Sequence, residues 1–218
     1  MKKLLFCFLC WSTFTHSQVQ ESNQIGAFYH LGYTAMSYQK AAENPGFNRT
    51  MDSLQTGGMA QELGLVYSRR LTRELSFVIG LRFQNYRYNF LENALPAMKS
   101  YQQVLSYVGI PLGLEYNIIT EKWQPFLGLS FVGSKLVDSH ISYVLQNGWN
   151  QEQVEAYMPN STWQFSSCLH IGAQLPVTLK WSVKPSVMLS YTLNSIGASN
   201  VPQRPYQLAF QLSTLYNF

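Results

Sequence analysis

Residues 206–218 at the carboxyl terminus read YQLAFQLSTLYNF. Mostly large apolar groups fill every second position, and small or polar groups fill most of the positions between them. Because successive side chains of a β-strand point to opposite faces, a period of two predicts a strand whose faces meet different surroundings. The bulky face consists of Tyr206, Leu208, Phe210, Leu212, Thr214, Tyr216 and Phe218.

Seven segments upstream repeat this alternation. In each, one face carries large apolar and aromatic side chains, and the other carries Gly, Ser, Gln and occasional charges. With the terminal segment, the pattern predicts eight strands. The seven upstream segments span residues 25–38, 62–68, 75–84, 108–116, 123–131, 163–175 and 181–193.

The links between the predicted strands alternate in length. Tight links are expected around Thr72-Arg73, around Thr120-Glu121-Lys122 and around Thr178-Leu179-Lys180. An even strand count with short turns on one side and long loops on the other is typical of outer-membrane barrels. We therefore predict an all-β fold, an eight-stranded antiparallel up-and-down transmembrane β-barrel. The longer links are expected at 39–58, 91–102, 137–161 and 195–204.

The bulky face is expected to point outward, into lipid. The narrow interior of an eight-stranded barrel is filled by side chains, so it cannot hold eight bulky faces. Glycines on the other face leave room for inward groups such as Arg82 or Phe126. The sheet must also close, because an open edge in hydrocarbon leaves unpaired backbone groups that cost several kcal/mol each. These glycines are Gly64, Gly80, Gly109, Gly113, Gly128 and Gly172.

Aromatic residues concentrate toward both ends of the outward faces. Amphipathic rings favour headgroup depth, so two lipid-facing girdles are expected. The girdle near the short turns and the terminus comprises Tyr67, Phe77, Tyr116, Trp123, Trp181, Tyr216 and Phe218, and the girdle near the long loops comprises Tyr33, Phe131, Trp163 and Tyr191.

Residues 1–17 have the form of a Sec signal peptide. Lys2 and Lys3 precede an apolar stretch over 4–14, and Thr15 and Ser17 are small residues at the −3 and −1 positions of a cleavage site. A stretch of about 11 residues is too short to cross a bilayer. We expect a signal peptide over 1–17, a barrel domain over 18–218, and a location in the outer membrane of a Gram-negative bacterium.

The composition excludes several classes of protein. Only 12% of the 218 residues are charged, against about a quarter in an ordinary soluble domain. No later apolar run approaches 18 residues, so no helical span is expected. Without residues 1–17 the chain has 13 basic residues (15 less two) and 11 acidic residues, a net charge of +2. The basic residues form no long stripe, so no nucleic-acid partner is indicated. Cys168 is the one remaining cysteine, so no intramolecular disulfide is expected, and no cofactor is indicated.

Particular motifs resemble a known family. The start of the exported chain at Gln18, the strand Ile110-Pro111-Leu112 and the strand Pro125-Phe126-Leu127-Gly128 are similar to the outer-membrane β-barrel family common in Bacteroidetes, the porin-family or PorT-like small barrels. The resemblance covers essentially the whole chain after residue 17, and it implies no shared catalytic residues.

Four charges fall on the predicted inward face: Glu62, Arg82, Glu115 and Lys184. Buried charges need partners, and two of each sign balance. We expect a salt-bridge network that plugs the lumen. A narrow gated pore or a proton-linked path is the alternative.

A metal site is considered at the inward Cys168, His170 and His30, because imidazole and thiolate are metal ligands. The strands that carry them are not predicted neighbours and a fourth ligand is missing, so the prediction is no metal.

A catalytic site is considered at His140 with Asp138, Ser139 and Ser142. A nucleophile needs a base and an orienting acid, but adjacent residues on one segment seldom form such a triad. This sequence is interpreted as a loop cap.

The loops are the remaining candidates for function, since loops on a rigid scaffold often carry it. The longest, over 137–161, is rich in aromatic and amide residues. Near Tyr86, Arg87 and Tyr88 the parity of the apolar residues changes, which indicates a bulge or a water-exposed extension.

The functional prediction is a non-enzymatic barrel, either structural and loop-presenting or an accessory subunit of an envelope complex. The PorT-like resemblance implies a role associated with secretion. The alternatives are a narrow solute channel and a small lipid-modifying enzyme. Expected partners are outer-membrane lipids and the barrel-assembly machinery, through the terminal strand that ends at Phe218.

Overall fold

The computed structural model describes residues 23–38, 55–90, 98–118, 123–145, 150–154, 162–195 and 203–218. The predicted signal peptide lies outside these ranges. The described residues contain no helix long and apolar enough to cross a membrane. They form nine strands: β1 (Asn23–Tyr38), β2 (Gln55–Arg70), β3 (Leu75–Phe90), β4 (Met98–Asn117), β5 (Gln124–Leu145), β6 (Asn150–Val154), β7 (Trp163–Pro176), β8 (Trp181–Thr192) and β9 (Gln203–Asn217).

Eight of these strands close into a barrel. Each pairs antiparallel with its neighbours in the order β1, β2, β3, β4, β5, β7, β8 and β9, and β9 pairs back onto β1 from Gln24↔Asn217 to Tyr38↔Gln203. The short β6 pairs with the far end of β5 and lies outside the ring. The predicted fold, a closed eight-stranded antiparallel barrel, is confirmed.

The stagger of the barrel follows from its pairing register. A path from Ile25 across all eight strands passes Tyr67, Phe131 and Tyr206 and returns to β1 at Ala35, ten residues further on (35 − 25). Eight strands with a shear of ten tilt by about 40° to the barrel axis. Each residue therefore climbs about 2.4 Å along the axis, from a strand rise of 3.3 Å.

The two faces have the predicted polarity. The outward residues of β9 are apolar and mostly exposed, with Leu208 56% and Phe210 54% exposed, whereas Ala209 and Ser213 between them are buried. The same alternation runs along β8, where Leu189 is exposed and its neighbours are buried. The barrel therefore has an apolar exterior and a largely polar interior.

Threonine side chains organise two of the tight turns. The Thr72 hydroxyl accepts hydrogen bonds from the backbone N–H groups of Glu74 and Leu75. The Thr178 hydroxyl accepts from Lys180 and Trp181 in the same way. A hydroxyl that binds the backbone two and three residues on stabilises a compact turn, which accounts for both short links.

The predicted loop over 137–161 is wrong in part. β5 runs to Leu145 and β6 follows it, so much of that segment is strand. β4 has 20 residues and β5 has 22, although about 9–11 residues cross a membrane. β3, β4 and β5 therefore continue well beyond the apolar belt on the long-loop side. β2 and β4 likewise begin inside the loops predicted over 39–58 and 91–102.

The apolar residues change from the outer to the inner face near Tyr86, and a bulge in β3 is not the cause. β3 pairs with β4 without interruption there and keeps one register with β2 from Tyr86 to Asn89, and Tyr86 and Tyr88 lie on the same inward face as Arg82. The apolar groups change faces because, above the belt, the interior becomes an ordinary apolar core and Arg87 is exposed on the outside. A register shift does occur across from Ser106, where Val137 of β5 has no partner on β4.

Candidate functional site in the barrel lumen

Glycines at some inward positions make room for large side chains at the positions opposite them. Phe28 of β1 stands opposite Gly64 of β2, and a Cβ at Gly64 would lie 2.6 Å from the ring. Phe126 of β5 stands opposite Gly172 of β7, where a Cβ would lie 2.8 Å from the ring. Both aromatic side chains therefore project into the lumen and narrow it.

The carboxylate of Glu62 is the centre of the upper lumen. It accepts hydrogen bonds from Arg82 at 3.2 Å and from Gln84 at 3.3 Å, and it lies 3.1 Å from the Nδ1 of His30. The Tyr86 hydroxyl donates to it at 3.4 Å. Glu62 is 1% exposed and Arg82 is 3% exposed, so this pair is buried. Four donor groups from β1 and β3 thus hold one carboxylate of β2.

The strand register explains this cluster. His30 and Gln84 are the direct partners of Glu62 on the two adjacent strands, and directly opposite residues share a face. The cluster reaches one wall further because the Ser134 hydroxyl donates to Gln84 at 2.7 Å. Gly109 on the intervening strand has no side chain to block that bond, since its Cβ would overlap Ser134.

A second ion pair crosses the lower lumen. Lys184 of β8 donates to the carboxylate of Glu115 on β4, with two strands between them around one side of the ring and four around the other. The Lys184 ammonium also lies 3.9 Å from the centroid of the Phe126 ring, a cation–π contact. The four predicted lumen charges therefore form two separate pairs at different depths, and no single network joins them among the described residues.

A cavity of about 60 Å³ lies between the two ion pairs. Its walls include His30, Arg82, Lys184 and His170. The His30 Nε2 and the Gln211 Oε1 are buried there without a hydrogen-bond partner in the described part of the chain. A volume of this size, with these polar atoms at its wall, suits a few water molecules.

An apolar core closes the lumen above Glu62. Tyr86, Tyr88, Leu105 and Tyr107 pack together with Ala60, and each is at most 2% exposed. The Tyr86 ring lies 6.3 Å from that of Tyr88 and 5.9 Å from that of Tyr107, both in tilted geometry. These residues come from β2, β3 and β4 at the level where the strands leave the apolar belt. The interior is thus blocked by ionic, then apolar, packing.

The predicted girdle residues occupy the outer surface. Tyr67 and Phe77 are half-buried, and the Tyr67 hydroxyl donates to Asn23 at 2.9 Å. Tyr216 is half-buried against Trp181, with ring centroids 5.1 Å apart. The exposed members are Tyr116, Trp123, Phe131, Trp163, Trp181, Tyr191 and Phe218.

Phe131 was expected at the long-loop end of its strand, and this is wrong. It is exposed on the outer face, but β5 continues for another 14 residues, from 132 to 145. Phe131 pairs with Leu112 and Ser167 in the middle of the belt. The expectation failed because the sequence pattern did not reveal how far β5 continues.

The residues considered for metal binding are engaged otherwise. The Cys168 thiol donates to Ser190 at 3.3 Å, and His170 Nε2 lies 3.1 Å from the Ser130 hydroxyl. Within the described ranges, no group of three or more His, Cys, Asp or Glu side chains could hold a metal ion.

The residues considered for catalysis lie on an extended strand. Asp138, Ser139, His140 and Ser142 all belong to β5, so the interpretation as a loop cap is wrong. Asp138 and His140 pair with Ser106 and Val104 on the outer face, whereas Ser139 pairs with the inward Leu105. Because Ser139 and His140 alternate across the strand, they do not converge on one reacting atom.

Sequence reasoning missed several members of the lumen cluster. His30 was considered only as a metal ligand, and Gln84 and Ser134 were not singled out. Once the register is known, His30 and Gln84 are the inward partners of Glu62, and Ser134 is the inward partner of Gly109, which pairs with Arg82. The available signal was a polar residue at inward parity, but that signal does not identify the partner.

Solved structures share this fold. The outer membrane protein OprG from Pseudomonas aeruginosa aligns with 90% of this chain and 95% of its own, with 12% identity and a TM-score of 0.54. Neisserial surface protein A aligns with 88% of this chain and 95% of its own, with 13% identity and a TM-score of 0.47. No protein-family model matches the chain. No curated protein sequence matches it either.

The fold and the lumen define a class of protein. The chain is a closed eight-stranded antiparallel β-barrel of the kind found in small outer-membrane proteins. Identity of 12% to OprG extends the likeness to the fold and no further.

Proposed function

We propose that this protein is an integral outer-membrane barrel with a closed lumen, and that it acts without catalysis. Its role is to present its long-loop end, or to serve as an accessory subunit of an envelope complex. The observation that carries the proposal is the combination of an apolar exterior with an interior filled by two ion pairs and an aromatic core.

The exterior supports a membrane location. Leu114, Leu129 and Leu169 form one cross-strand row, and they are 48%, 49% and 39% exposed. Soluble proteins rarely leave apolar patches of several hundred Å² in water, and here such residues encircle the barrel. A lipid environment is the surrounding in which this belt is stable.

The interior supports a non-conducting and non-enzymatic role. The Glu62 cluster and the Tyr86 core together obstruct the upper lumen, so water has no wide path past them. Ser130 and His170 form the serine–histidine contact beside the cavity, but no carboxylate in the described part of the chain bonds to that histidine. An orienting acid is what a serine nucleophile would require.

Two observations support the proposed partners. The terminal strand pairs along its whole length with β1 and leaves Phe218 64% exposed, so the segment that closes the barrel ends in an accessible aromatic residue. We propose this end as the contact for the barrel-assembly machinery. The resemblance to PorT-like barrels supports an assignment to that Bacteroidetes family and a link to secretion.

A combined purification and conductance experiment tests the proposal. The protein is purified from native outer membranes in mild detergent, and its gel mobility is compared with and without boiling. A closed barrel migrates differently after boiling, and a stoichiometric co-purifying protein would identify an accessory role. Absence of the heat-dependent shift would refute the barrel in its membrane form. Large conductance in planar bilayers would refute the closed lumen.

A narrow channel is the second candidate, and the cavity is the observation that favours it. The lining of the space between the two ion pairs includes His30, Arg82, His170 and Lys184. Small discrete conductance steps that vanish when the cavity is filled, for example by Gln211→Phe, would support this alternative. Conductance unaffected by that substitution would argue against a path through the cavity.

A further inference from the structure

The outer wall changes character at the top of the apolar belt on β3, β4 and β5. Phe83 pairs with Val108, and Val108 pairs with Lys135, so these residues share the outer face. Phe83 and Val108 are each 38% exposed, and Lys135 is also exposed. The Lys135 ammonium therefore stands outside the barrel at the upper edge of the lipid-facing surface.

The next row on the same face is polar. Asn85 pairs with Ser106, which pairs with Asp138. Ser106 is only 6% exposed although it lies on the outer face, and the Asn85 Oδ1 is buried without a hydrogen-bond partner in the described part of the chain. The apolar belt therefore ends at this row on β3, β4 and β5.

The charges of this sector favour an anion. Arg87 lies one row further up on β3 and is exposed, as is Lys135, and neither forms an ion pair within the described ranges. Asp138 is the exposed acidic group, and His140 lies opposite Val104 in the row of Arg87. Two cations thus face one carboxylate. At the same height on the other side of the barrel, the outer residues include the aromatic Trp163, Tyr191, Tyr206 and Tyr33.

We propose that this sector, formed by Asn85, Arg87, Ser106, Lys135 and Asp138, binds the phosphorylated headgroup of an outer-leaflet lipid. The planar guanidinium of Arg87 can donate two parallel hydrogen bonds to a phosphate, and the ammonium of Lys135 adds a compact positive charge. The position directly above the apolar belt is where a lipid whose chains lie against Phe83 and Val108 places its phosphate. The inference rests on the proposed membrane location.

The test compares lipids that differ only in phosphate. Lipid A with both phosphates, and lipid A with its phosphates removed, are titrated into the refolded protein in neutral detergent, and bound lipid is counted by native mass spectrometry. Each basic residue at an anionic lipid surface contributes about five-fold in affinity, so R87Q/K135Q is expected to weaken the phosphorylated lipid about 25-fold. D138N is expected to tighten it by a few-fold.

The control variant is R73Q/K180Q, which removes two exposed cations at the short-turn end. It is expected to retain wild-type affinity. Equal affinity of wild type and R87Q/K135Q, or equal affinity for the dephosphorylated lipid, would overturn the site. Competition by inorganic phosphate at the lipid's own concentration would instead identify a free-anion site and overturn the lipid assignment.

The heat-dependent gel shift separates this proposal from the one on which it rests. A wild-type protein that shows the shift but binds no phosphorylated lipid refutes the site and leaves the membrane barrel intact. A protein without the shift refutes the barrel, whatever its lipid binding. Both substitutions fall on exposed side chains, so R87Q/K135Q is expected to keep the wild-type shift.

Discussion

Replacement of Glu62 by alanine is expected to destabilise the barrel strongly. The substitution removes the carboxylate that Arg82 binds at 3.2 Å, and it leaves a guanidinium that is 3% exposed without its counter-ion. Loss of one partner from a buried ion pair costs about 3–5 kcal/mol of unfolding free energy. The donors on His30 and Gln84 lose their acceptor as well, which places the expected cost toward the upper end.

Urea unfolding in detergent micelles, followed by tryptophan fluorescence, measures this cost. A loss of about 4 kcal/mol lowers the urea midpoint by about 2 M when the denaturant slope is about 2 kcal/mol per M. The matched control is Glu74→Ala, which removes an exposed carboxylate at the short-turn end whose one side-chain partner among the described residues is the exposed Tyr116 hydroxyl. That control is expected to change stability by less than about 0.5 kcal/mol.

A double-mutant cycle with Arg82 shows whether the cost comes from the pair. Replacing both partners by leucine removes the isolated charge, so Glu62→Leu/Arg82→Leu is expected to be more stable than the sum of its single variants by about 2–3 kcal/mol. Additive single-variant costs, or a cost of Glu62→Ala below about 1 kcal/mol, would refute the view that this pair organises the lumen.

Three further predictions concern the lower pair, the belt and the lumen packing. Glu115→Ala is expected to cost about 1.5–3 kcal/mol, because it removes a charged hydrogen bond in a partly exposed pair, and to leave bilayer conductance unchanged; a large rise in conductance would show that this pair closes the pore. Leu129→Arg, at mid-belt, is expected to cost about 2–4 kcal/mol in lipid bilayers, whereas Leu179→Arg, at a fully exposed turn, is expected to be nearly neutral; equal costs in urea titrations of vesicle-embedded protein would contradict the lipid-facing assignment. Gly64→Ala is expected to cost about 1–3 kcal/mol because its Cβ would lie 2.2 Å from the Leu81 carbonyl oxygen and 2.6 Å from the Phe28 ring, and Gly64→Ala/Phe28→Ala is expected to recover only the part of that cost due to the ring; absence of any coupling in the same unfolding assay would show that the ring does not depend on this glycine.

The lower half of the barrel was predictable because local rules decide it. In the segment 206–218 the outer side chains meet lipid and the inner ones meet a narrow polar space, so the period of two is nearly unbroken. The tight turn at Thr72 was predictable for the same local reason, since its hydroxyl binds backbone groups two and three residues away.

The upper half of the barrel was less predictable from the alternation of side chains, because the surroundings of a single strand change along its length. β5 passes from lipid into a polar environment above Lys135, so the alternation that marks it fades while the strand continues to Leu145. The inward positions of Tyr86 and Tyr88 break the alternation that is expected of a strand with lipid along its whole outer face. Once the exterior is no longer apolar, the same residues are ordinary core.

The sequence by itself determined the number of strands in the barrel, the outward face of each within the apolar belt and the presence of Glu62, Arg82, Glu115 and Lys184 on the inner face, because parity along a strand is a local property. Only the tertiary structure decided how those charges pair. Pairing depends on the shear of ten and on the closing register between β1 and β9, which sum small offsets over all eight strands. The same offsets place Glu62 beside His30 and set Lys184 across the lumen from Glu115.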